Sequence, residues 1–177
     1  MQVAQDTLVR LFEEVRTYAA PIQLECSPCR LESTWREAWN MLEPARRGRD
    51  AVLSEASGGV DLSASVDRFR VVQLFRNMME NSLAAGRDPV IVEIACRDVE
   101  FESQPAIEIR YRDNGPGLTA DAARNVFEPF FTTKTKGTGL GMAIARRIVD
   151  SHGGKIETTQ GSHHGAEFIV TLPRGRS

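Results

Sequence analysis

The strongest constraint on this chain is a pair of glycine clusters that enclose an aromatic and basic segment. The first cluster is Asp113-Asn114-Gly115-Pro116-Gly117, and the second is Gly137-Thr138-Gly139-Leu140-Gly141. Between them lies the segment Phe127-Glu128-Pro129-Phe130-Phe131-Thr132-Thr133-Lys134. One such cluster alone is compatible with an ordinary turn. Two clusters around a hinge of this composition indicate a nucleotide site with a mobile lid.

The composition is that of a soluble globular protein. The 177 residues suffice for one domain with a core plus a helical appendage. A charged fraction of 26% with a net charge of -2 decides against a nucleic-acid partner. The chain has no apolar run long enough to span a bilayer, and its first residues do not resemble a signal peptide. We therefore expect no membrane contact by this segment and a cytoplasmic location.

The N-terminal region is predicted to be helical. Apolar residues recur at helical spacing over residues 6–20, before Pro21, and residues 22–31 have the pattern of an extended connector. The apolar stripe of the helix is suited either to packing on its own domain or to one arm of a helical hairpin. The abrupt start of the pattern favours the hairpin, with its other arm outside this sequence.

A helix and a hairpin are predicted between residues 34 and 65. Thr34-Trp35-Arg36-Glu37 matches a capping box, which would open a helix that extends to about Arg47 and buries Trp35, Trp39 and Leu42. Residues 51–56 and 60–65 alternate apolar and polar side chains around Gly58-Gly59, which predicts a β-hairpin.

The rest of the chain completes a pattern of strands in adjacent pairs and helices in separate blocks. The predicted elements are a long helix over 67–85, strands over 90–99 and 106–112, a short helix over 120–126, a helix over 139–151, and strands over 155–159 and 166–172. This order predicts an α+β two-layer sandwich with a mixed, mostly antiparallel sheet covered by helices on one face, and it excludes a doubly wound parallel sheet.

Two asparagines on the long helix are candidate metal ligands. Asn77 and Asn81 lie four residues apart and so share one helical face. Amide oxygens held together in this way suit a hard cation such as Mg²⁺. Taken alone, the pair favours the simpler interpretation of two solvent-facing polar residues.

Asp113 is a candidate for recognising a nucleotide base. It ends a predicted strand, and the glycines that follow permit positive φ angles and a close approach of the backbone to a planar ring. A carboxylate there can accept a hydrogen bond from the exocyclic amino group of adenine, which guanine lacks at that position. The same residues also suit a simple turn.

The second glycine cluster opens a helix and thereby predicts a phosphate site. Free amide groups and the helix dipole at such an N-terminus attract anions. The lid segment adds hydroxyl and ammonium groups from Thr132 to Lys136, and the aromatic side chains of Phe127, Phe130 and Phe131 are expected to anchor the lid to the core.

These motifs, in this order and spacing, resemble those of one known family. Asn77-x-x-x-Asn81, the first glycine cluster, Phe127-Glu128-Pro129-Phe130-Phe131 and the second glycine cluster are similar to the N, first glycine, F and second glycine boxes of sensor histidine kinases. The likeness is to the GHKL ATP-binding domain with the Bergerat fold, in particular to kinases of the nitrogen-regulation type. His152-Gly153-Gly154 extends it along most of the chain.

The resemblance implies a role for each matching residue. Asn81 would be the principal Mg²⁺ ligand and Asn77 would assist it. Asp113 would recognise the adenine amino group, within a base pocket shaped by Gly115 and Gly117. The remaining ATP-binding residues that it implies are Phe130, Thr133, Lys134, Gly137, Thr138, Gly139, Leu140 and Gly141.

The resemblance also implies a domain organisation and a set of partners. Residues 1–20 would belong to the dimerisation and phosphoacceptor hairpin, 21–32 would be a connector, and 33–177 would form the catalytic domain. No histidine precedes His152, so the phosphoacceptor would lie outside this sequence. Expected partners are ATP and ADP, a phosphoacceptor helix, a response regulator receiver domain and a second copy of the chain bound through the N-terminal helix.

Three other functions are compatible with parts of the pattern. ATPases of the gyrase, mismatch-repair and heat-shock type share the fold, but they have a water-activating glutamate where this chain has Asn77, so hydrolysis should be weak. A non-catalytic nucleotide sensor is disfavoured by the intact Asn81 and Asp113. An anti-sigma-type serine kinase would not need the N-terminal helix.

The cysteines and histidines do not complete a metal site. Cys26-Ser27-Pro28-Cys29 has the spacing of half a zinc or redox site, but no second pair follows. His163 and His164 are adjacent, and His152 stands beside two glycines. We therefore expect structural roles for all of these residues.

Overall fold

The computed structural model describes residues 12, 15, 16, 18–134, 137–159 and 165–175. Residues 12, 15, 16, 18 and 19 are helical, and the remainder of the helix predicted over 6–20 lies outside the described residues. The elements are β1 (Ser27–Arg30), α1 (Leu31–Met41), α2 (Glu43–Arg46), β2 (Ala51–Ala56), β3 (Ser63–Val66), α3 (Arg68–Ala85), β4 (Val90–Phe101), β5 (Gln104–Asp113), α4 (Ala120–Asn125), α5 (Gly141–Ser151), β6 (Lys155–Thr158) and β7 (Glu167–Pro173).

The main sheet is mixed and mostly antiparallel, as predicted. Among the described residues it has five strands in the order β2-β4-β5-β7-β6, in which only β2 and β4 run parallel. Strand β5 alternates in burial, so that Ile109, Tyr111 and Asp113 are buried whereas Arg110 and Arg112 are exposed. Because alternate side chains of a strand share a face, Asp113 lies on the same face as the core residue Tyr111.

One face of the sheet is covered by helices and the other bears charged side chains. Helix α3 packs between α1 and α5, and Trp35 of α1 meets Phe75 of α3 edge to face at 5.5 Å. On the opposite face, Arg97 of β4 pairs with Glu108 of β5 at 2.7 Å. This division into an apolar inner face and a charged outer face confirms the predicted two-layer α+β sandwich.

The hairpin predicted over residues 51–65 is wrong. Strand β2 pairs with β4 in the main sheet, whereas β3 pairs with β1 in a separate two-stranded sheet. The physical reason is that β1, inside the segment expected to be a connector, supplies an antiparallel partner for β3. Alternation of side chains identifies a strand but does not select the strand with which it pairs.

The capping box predicted at Thr34 is also wrong. Helix α1 begins at Leu31, and the Thr34 hydroxyl, fully buried, donates to the Leu31 carbonyl at 2.6 Å. Thr34 is therefore a residue of the first turn and not the N-cap. The predicted core residues Trp35, Trp39 and Leu42 are buried as expected.

The long helix α3 carries the residues that matter most for the site, and both of its ends are fixed by side chains. At the start, the Asp67 carboxylate accepts from the Arg70 amide at 3.0 Å, which satisfies a free donor of the first turn. At the end, the Arg49 guanidinium donates to the carbonyls of Leu83 and Gly86 at 2.6 and 3.0 Å. The end of α3 is thereby tied to the segment that leads into β2.

Candidate nucleotide-binding site

A cavity of about 670 Å³ lies between α3, the end of β5 and the segment that joins α4 to α5. This volume is in the range of small-molecule sites, roughly 300–1,000 Å³. Most of the residues predicted to bind a nucleotide line it: Asn77, Asn81, Asp113, Gly117, Thr133, Lys134, Gly137, Thr138, Gly139 and Gly141. The fold therefore brings together motifs that are up to 64 residues apart, as the contact between Asn77 and Gly141 shows.

Asp113 is held in a single orientation by three donors. Its Oδ1 accepts from the amides of Gly115 and Ala166, each at 2.9 Å. Its Oδ2 accepts from the Ser82 hydroxyl at 2.6 Å. The side chain is 7% exposed yet faces the cavity, so it is a fixed acceptor at the cavity wall.

The first glycine cluster supports this carboxylate. Asn114 ties the loop to the start of β4, since its Oδ1 accepts from the Ile91 amide and its Nδ2 donates to the Pro89 carbonyl, both at 2.8 Å. Gly115 does not line the cavity and contributes its amide to Asp113 instead. Gly117 lines the cavity and has the positive φ angle that the sequence predicted, +77°.

The two asparagines of α3 have different surroundings. Asn77 donates from Nδ2 to the Gly141 carbonyl at 2.9 Å and so connects α3 to the first turn of α5. The Oδ1 of Asn81 accepts from the Lys134 ammonium at 3.1 Å, and the same ammonium lies 3.2 Å from the Asn81 carbonyl oxygen. Two oxygens of Asn81 thus face a positive charge, and oxygen is the ligand atom that Mg²⁺ prefers in proteins.

The ammonium group of Lys134 is partly buried at the cavity, which disfavours its charged form. Burial lowers the pKa of its ammonium group, and the negative charge of Asp113 opposes that shift. The side chain reaches across from the lid segment to α3. A divalent cation bound at Asn81 would take the place of this ammonium and leave it free to meet phosphate oxygens.

The lid segment is attached to the second glycine cluster through its backbone. The Phe130 amide donates to the Gly139 carbonyl at 3.1 Å, and both residues have positive φ angles, +65° and +72°. A Cβ atom on Gly139 would lie 2.5 Å from the Phe130 carbonyl carbon. Only glycine fits this position, because the backbone of the lid passes where a side chain would be.

The aromatic residues of the lid do not all act as anchors. Phe127 packs edge to face on Phe168 of β7, with ring centroids 6.1 Å apart, and the Arg146 guanidinium of α5 lies over the Phe127 ring. Phe131 lines the cavity. Phe130, by contrast, is 60% exposed, so the expectation that its side chain anchors the lid is wrong; it is the Phe130 backbone that does so.

The second glycine cluster places the start of α5 against the cavity. Gly137, Thr138, Gly139 and Gly141 line the cavity, whereas Leu140 is fully buried beneath it. Helix α5 has eleven residues and begins at Gly141. Its free amides and the positive end of its dipole suit an anion at this edge of the cavity, as the sequence predicted.

Ser82 and Tyr111, which are linked to Asp113 by hydrogen bonds, were not predicted from the sequence as site residues. Ser82 is buried on α3, and its hydroxyl lies 2.8 Å from the Tyr111 phenolic oxygen. Two weak signals were present: Ser82 directly follows Asn81, and Tyr111 precedes Asp113 by two residues, which puts both on one face of β5.

His152 and the three cysteines do not line this cavity. His152 lies at the end of α5, where its Nδ1 donates to the Ile148 carbonyl at 2.7 Å and its Nε2 accepts from the Asp67 amide at 3.0 Å. It links α5 to the start of α3. His163 and His164 lie outside the described residues. In the part of the chain that the structure describes, His, Cys, Asp and Glu side chains form no metal-binding cluster.

The fold and the cavity define an ATP-binding domain of the GHKL class. Residues 66–176 match the family described as histidine kinase-, DNA gyrase B-, and HSP90-like ATPase, and the chain belongs to that family. The nitrogen-regulation likeness within it remains a prediction.

The similar proteins are sensor kinases. The chain is 32% identical over 166 residues to the sensor protein kinase PilS of Pseudomonas aeruginosa, a match that covers 91% of this chain and 29% of PilS. The chain thus spans less than a third of that relative.

Solved structures agree with the fold. The catalytic domain of the histidine kinase ThkA matches with a TM-score of 0.73 at 30% identity, over 85% of this chain and 96% of that domain. ThkA in complex with the response regulator protein TrrA matches with a TM-score of 0.79 at 26% identity, over 98% of this chain and 49% of that chain. Within the described ranges, no helix combines the length and apolar character needed to cross a membrane.

Proposed function

We propose that this chain is the ATP- and Mg²⁺-binding catalytic part of a sensor histidine kinase, which transfers the γ-phosphoryl group of ATP to a histidine outside these residues. The observation that carries the proposal is the meeting of three groups at one cavity: the fixed carboxylate of Asp113, the cation-facing oxygens of Asn81 and the glycine-rich start of α5. They match the base, the metal and the phosphates of one nucleotide.

Each group has a distinct task in this mechanism. Asp113 accepts a hydrogen bond from the adenine amino group. Asn81, assisted by Asn77, would hold Mg²⁺, which would supply positive charge against the phosphate oxygens. Amides at the start of α5 and the Lys134 ammonium then orient the γ-phosphoryl group. Catalysis by such a site is mainly positioning and electrostatic stabilisation, because the phosphoryl group itself needs little covalent help.

The surroundings of Asn77 favour transfer over hydrolysis. Hydrolysis needs a base to activate water, and an amide cannot accept a proton as a carboxylate does. Here the Asn77 amide group is also engaged, since it donates to the Gly141 carbonyl at 2.9 Å. The base for phosphotransfer would then come with the acceptor histidine segment.

The domain organisation and partners follow from the same proposal. Residues 1–20 are proposed to end the dimerisation and phosphoacceptor hairpin, 21–32 to lead from it into the catalytic domain, with β1 already paired to β3, and 33–177 to bind ATP. In support, the Arg147 guanidinium of α5 donates to the Ala20 carbonyl at 3.1 Å and stacks over Tyr18. A response regulator, as in the ThkA complex, would receive the phosphoryl group in the cytoplasm, where ATP is available.

A phosphotransfer assay tests the proposal. The chain is incubated with γ-labelled ATP and Mg²⁺, alone and beside a version extended upstream through the proposed first helix of the hairpin. We expect acid-labile, base-stable label only on the longer version, and its loss in Asn81→Ala. Ser151→Ala, a change at the exposed end of α5, is the control. Release of inorganic phosphate without any protein label would overturn the kinase assignment in favour of an ATPase.

A further inference from the structure

A chain of buried hydroxyl groups ends at the carboxylate of Asp113. The Tyr111 phenolic oxygen lies 2.8 Å from the Ser82 hydroxyl, which lies 2.6 Å from the Asp113 Oδ2. Tyr111 is 0% exposed and Ser82 is 3% exposed. Neither residue lines the cavity, so both act on a ligand only through Asp113.

The direction of these hydrogen bonds follows from the donors available. A carboxylate only accepts, so the single Ser82 proton is donated to Asp113. Ser82 must then accept from Tyr111, which donates its phenolic proton. Burial raises the pKa of Tyr111, which keeps that proton in place. The alternative acceptor for Ser82, the Met78 carbonyl, lies farther away at 3.3 Å and is uncharged.

The hydroxyl chain leaves Asp113 with one open acceptor position. A carboxylate has about four acceptor positions, two on each oxygen. Among the described residues, the amides of Gly115 and Ala166 take both positions of Oδ1, and Ser82 takes one of Oδ2. The remaining position belongs to Oδ2, on the side chain that faces the cavity.

We propose that Ser82 and Tyr111 are positioning residues that make Asp113 a single, oriented acceptor and thereby select a base with an exocyclic amino group. The inference rests on the proposed function, because it assumes that the cavity takes ATP. A base with a carbonyl oxygen in place of the amino group would set two acceptors against each other, which a buried site penalises. The selectivity of the site is thus built partly on residues that do not touch the ligand.

The test compares ATP with purine riboside triphosphate, which lacks only the amino group. Both are titrated into the wild-type chain, Ser82→Ala, Tyr111→Phe and the double variant. Ser82→Ala removes the donor to Oδ2, and we expect it to weaken ATP binding about tenfold while the analogue changes less than about twofold. Tyr111→Phe keeps the ring packed on Phe168 and should have a smaller effect, with no further loss once Ser82 is alanine.

A matched control separates positioning from stability. Thr34→Val also removes a buried hydroxyl that donates within a helix, but that hydroxyl donates to the Leu31 carbonyl and not to Asp113. It should leave both titrations unchanged. If Ser82→Ala does not fold, Tyr111→Phe alone still decides, by whether its loss is specific to ATP.

The titrations distinguish a failure of the positioning role from a failure of the proposed nucleotide site. Equal losses for ATP and the analogue in Ser82→Ala, or no loss for either, would overturn the positioning role while leaving the nucleotide site in place. A wild-type chain that binds neither nucleotide would overturn the proposed function and this inference with it.

Discussion

The contact between the lid segment and the second glycine cluster predicts a sharp difference between two Gly→Ala substitutions. Gly139 and Gly153 have nearly the same φ angle, +72° and +68°. An alanine in this left-handed region costs about 1–2 kcal/mol at either position. The two glycines differ in their surroundings. A Cβ on Gly153 would have nothing within 4 Å, whereas on Gly139 it would lie 2.5 Å from the Phe130 carbonyl carbon and 2.7 Å from the Phe131 carbonyl oxygen.

The clash at Gly139 sets the size of the effect. Ordinary contacts of a Cβ begin at 3.4 Å, whereas this Cβ would lie at 2.5 Å. The two backbone segments would therefore have to move apart by about 0.9 Å. The Phe130 amide and the Gly139 carbonyl, now 3.1 Å apart, would then be too far apart for a hydrogen bond. We expect Gly139→Ala to release the lid segment locally and to weaken ATP binding by about tenfold or more.

Two measurements test this reasoning. Urea unfolding should give losses of about 1–2 kcal/mol for both variants, because local release of the lid limits the global cost at Gly139. ATP titration should separate them, with Gly153→Ala binding like the wild type. If Gly139→Ala binds ATP as tightly as Gly153→Ala does, the lid contact is not part of the nucleotide site and the reasoning fails.

Three further predictions concern single residues. Asp113→Asn should weaken ATP binding by about a hundredfold in a nucleotide titration. The new side-chain amide nitrogen is a donor, and it must face either the backbone amides of Gly115 and Ala166 or the amino group of the ligand, which are donors too. Unchanged binding would remove the base-recognition role. Burial raises the pKa of the Cys96 thiol to about 11 from 9.0, so the folded state keeps this proton while the unfolded chain loses it. The free energy of unfolding should therefore fall between pH 9 and 11, and Cys96→Ala should reduce that fall; an identical pH profile in the variant would contradict the assignment. Arg147→Met should speed hydrogen exchange of the Ala20 amide, because the Ala20 carbonyl and Tyr18 both lose their contact with α5. Arg146→Met is the control, because Arg146 contacts Phe127 and not the N-terminal helix. Equal exchange in both variants would show that the Arg147 contacts do not hold the N-terminal helix against α5.

The sequence was sufficient for the long elements, and most of the residues that it proposed for the site line one cavity. Helix α3, strands β4 and β5, and helix α5 were all predicted within a few residues of their observed ends. Their hydrophobic periodicity is strong, and glycines or polar caps mark their ends. The motif residues line one cavity. They could be recognised in the sequence because a site that needs glycine, asparagine or aspartate at fixed spacing leaves a local motif.

Strand pairing was decided by the tertiary structure. Residues Ala51–Ala56 and Ser63–Val66 are both strands, but they pair with β4 and β1 in two different sheets. A period of two residues records which side of a strand is buried and carries no information about its neighbour. The partner depends on contacts with segments far away in sequence, such as β4 for β2.

The sequence by itself determined the chemical type of the residues that we propose to meet a base, a cation and phosphates. Only the tertiary structure decided how Asp113 is oriented, since its three donors come from α3, the first glycine cluster and the segment before β7. Likewise, the contact of Lys134 with Asn81 spans 53 residues. Chemical type is a property of each residue, whereas the direction of a hydrogen bond depends on where the fold brings its partner.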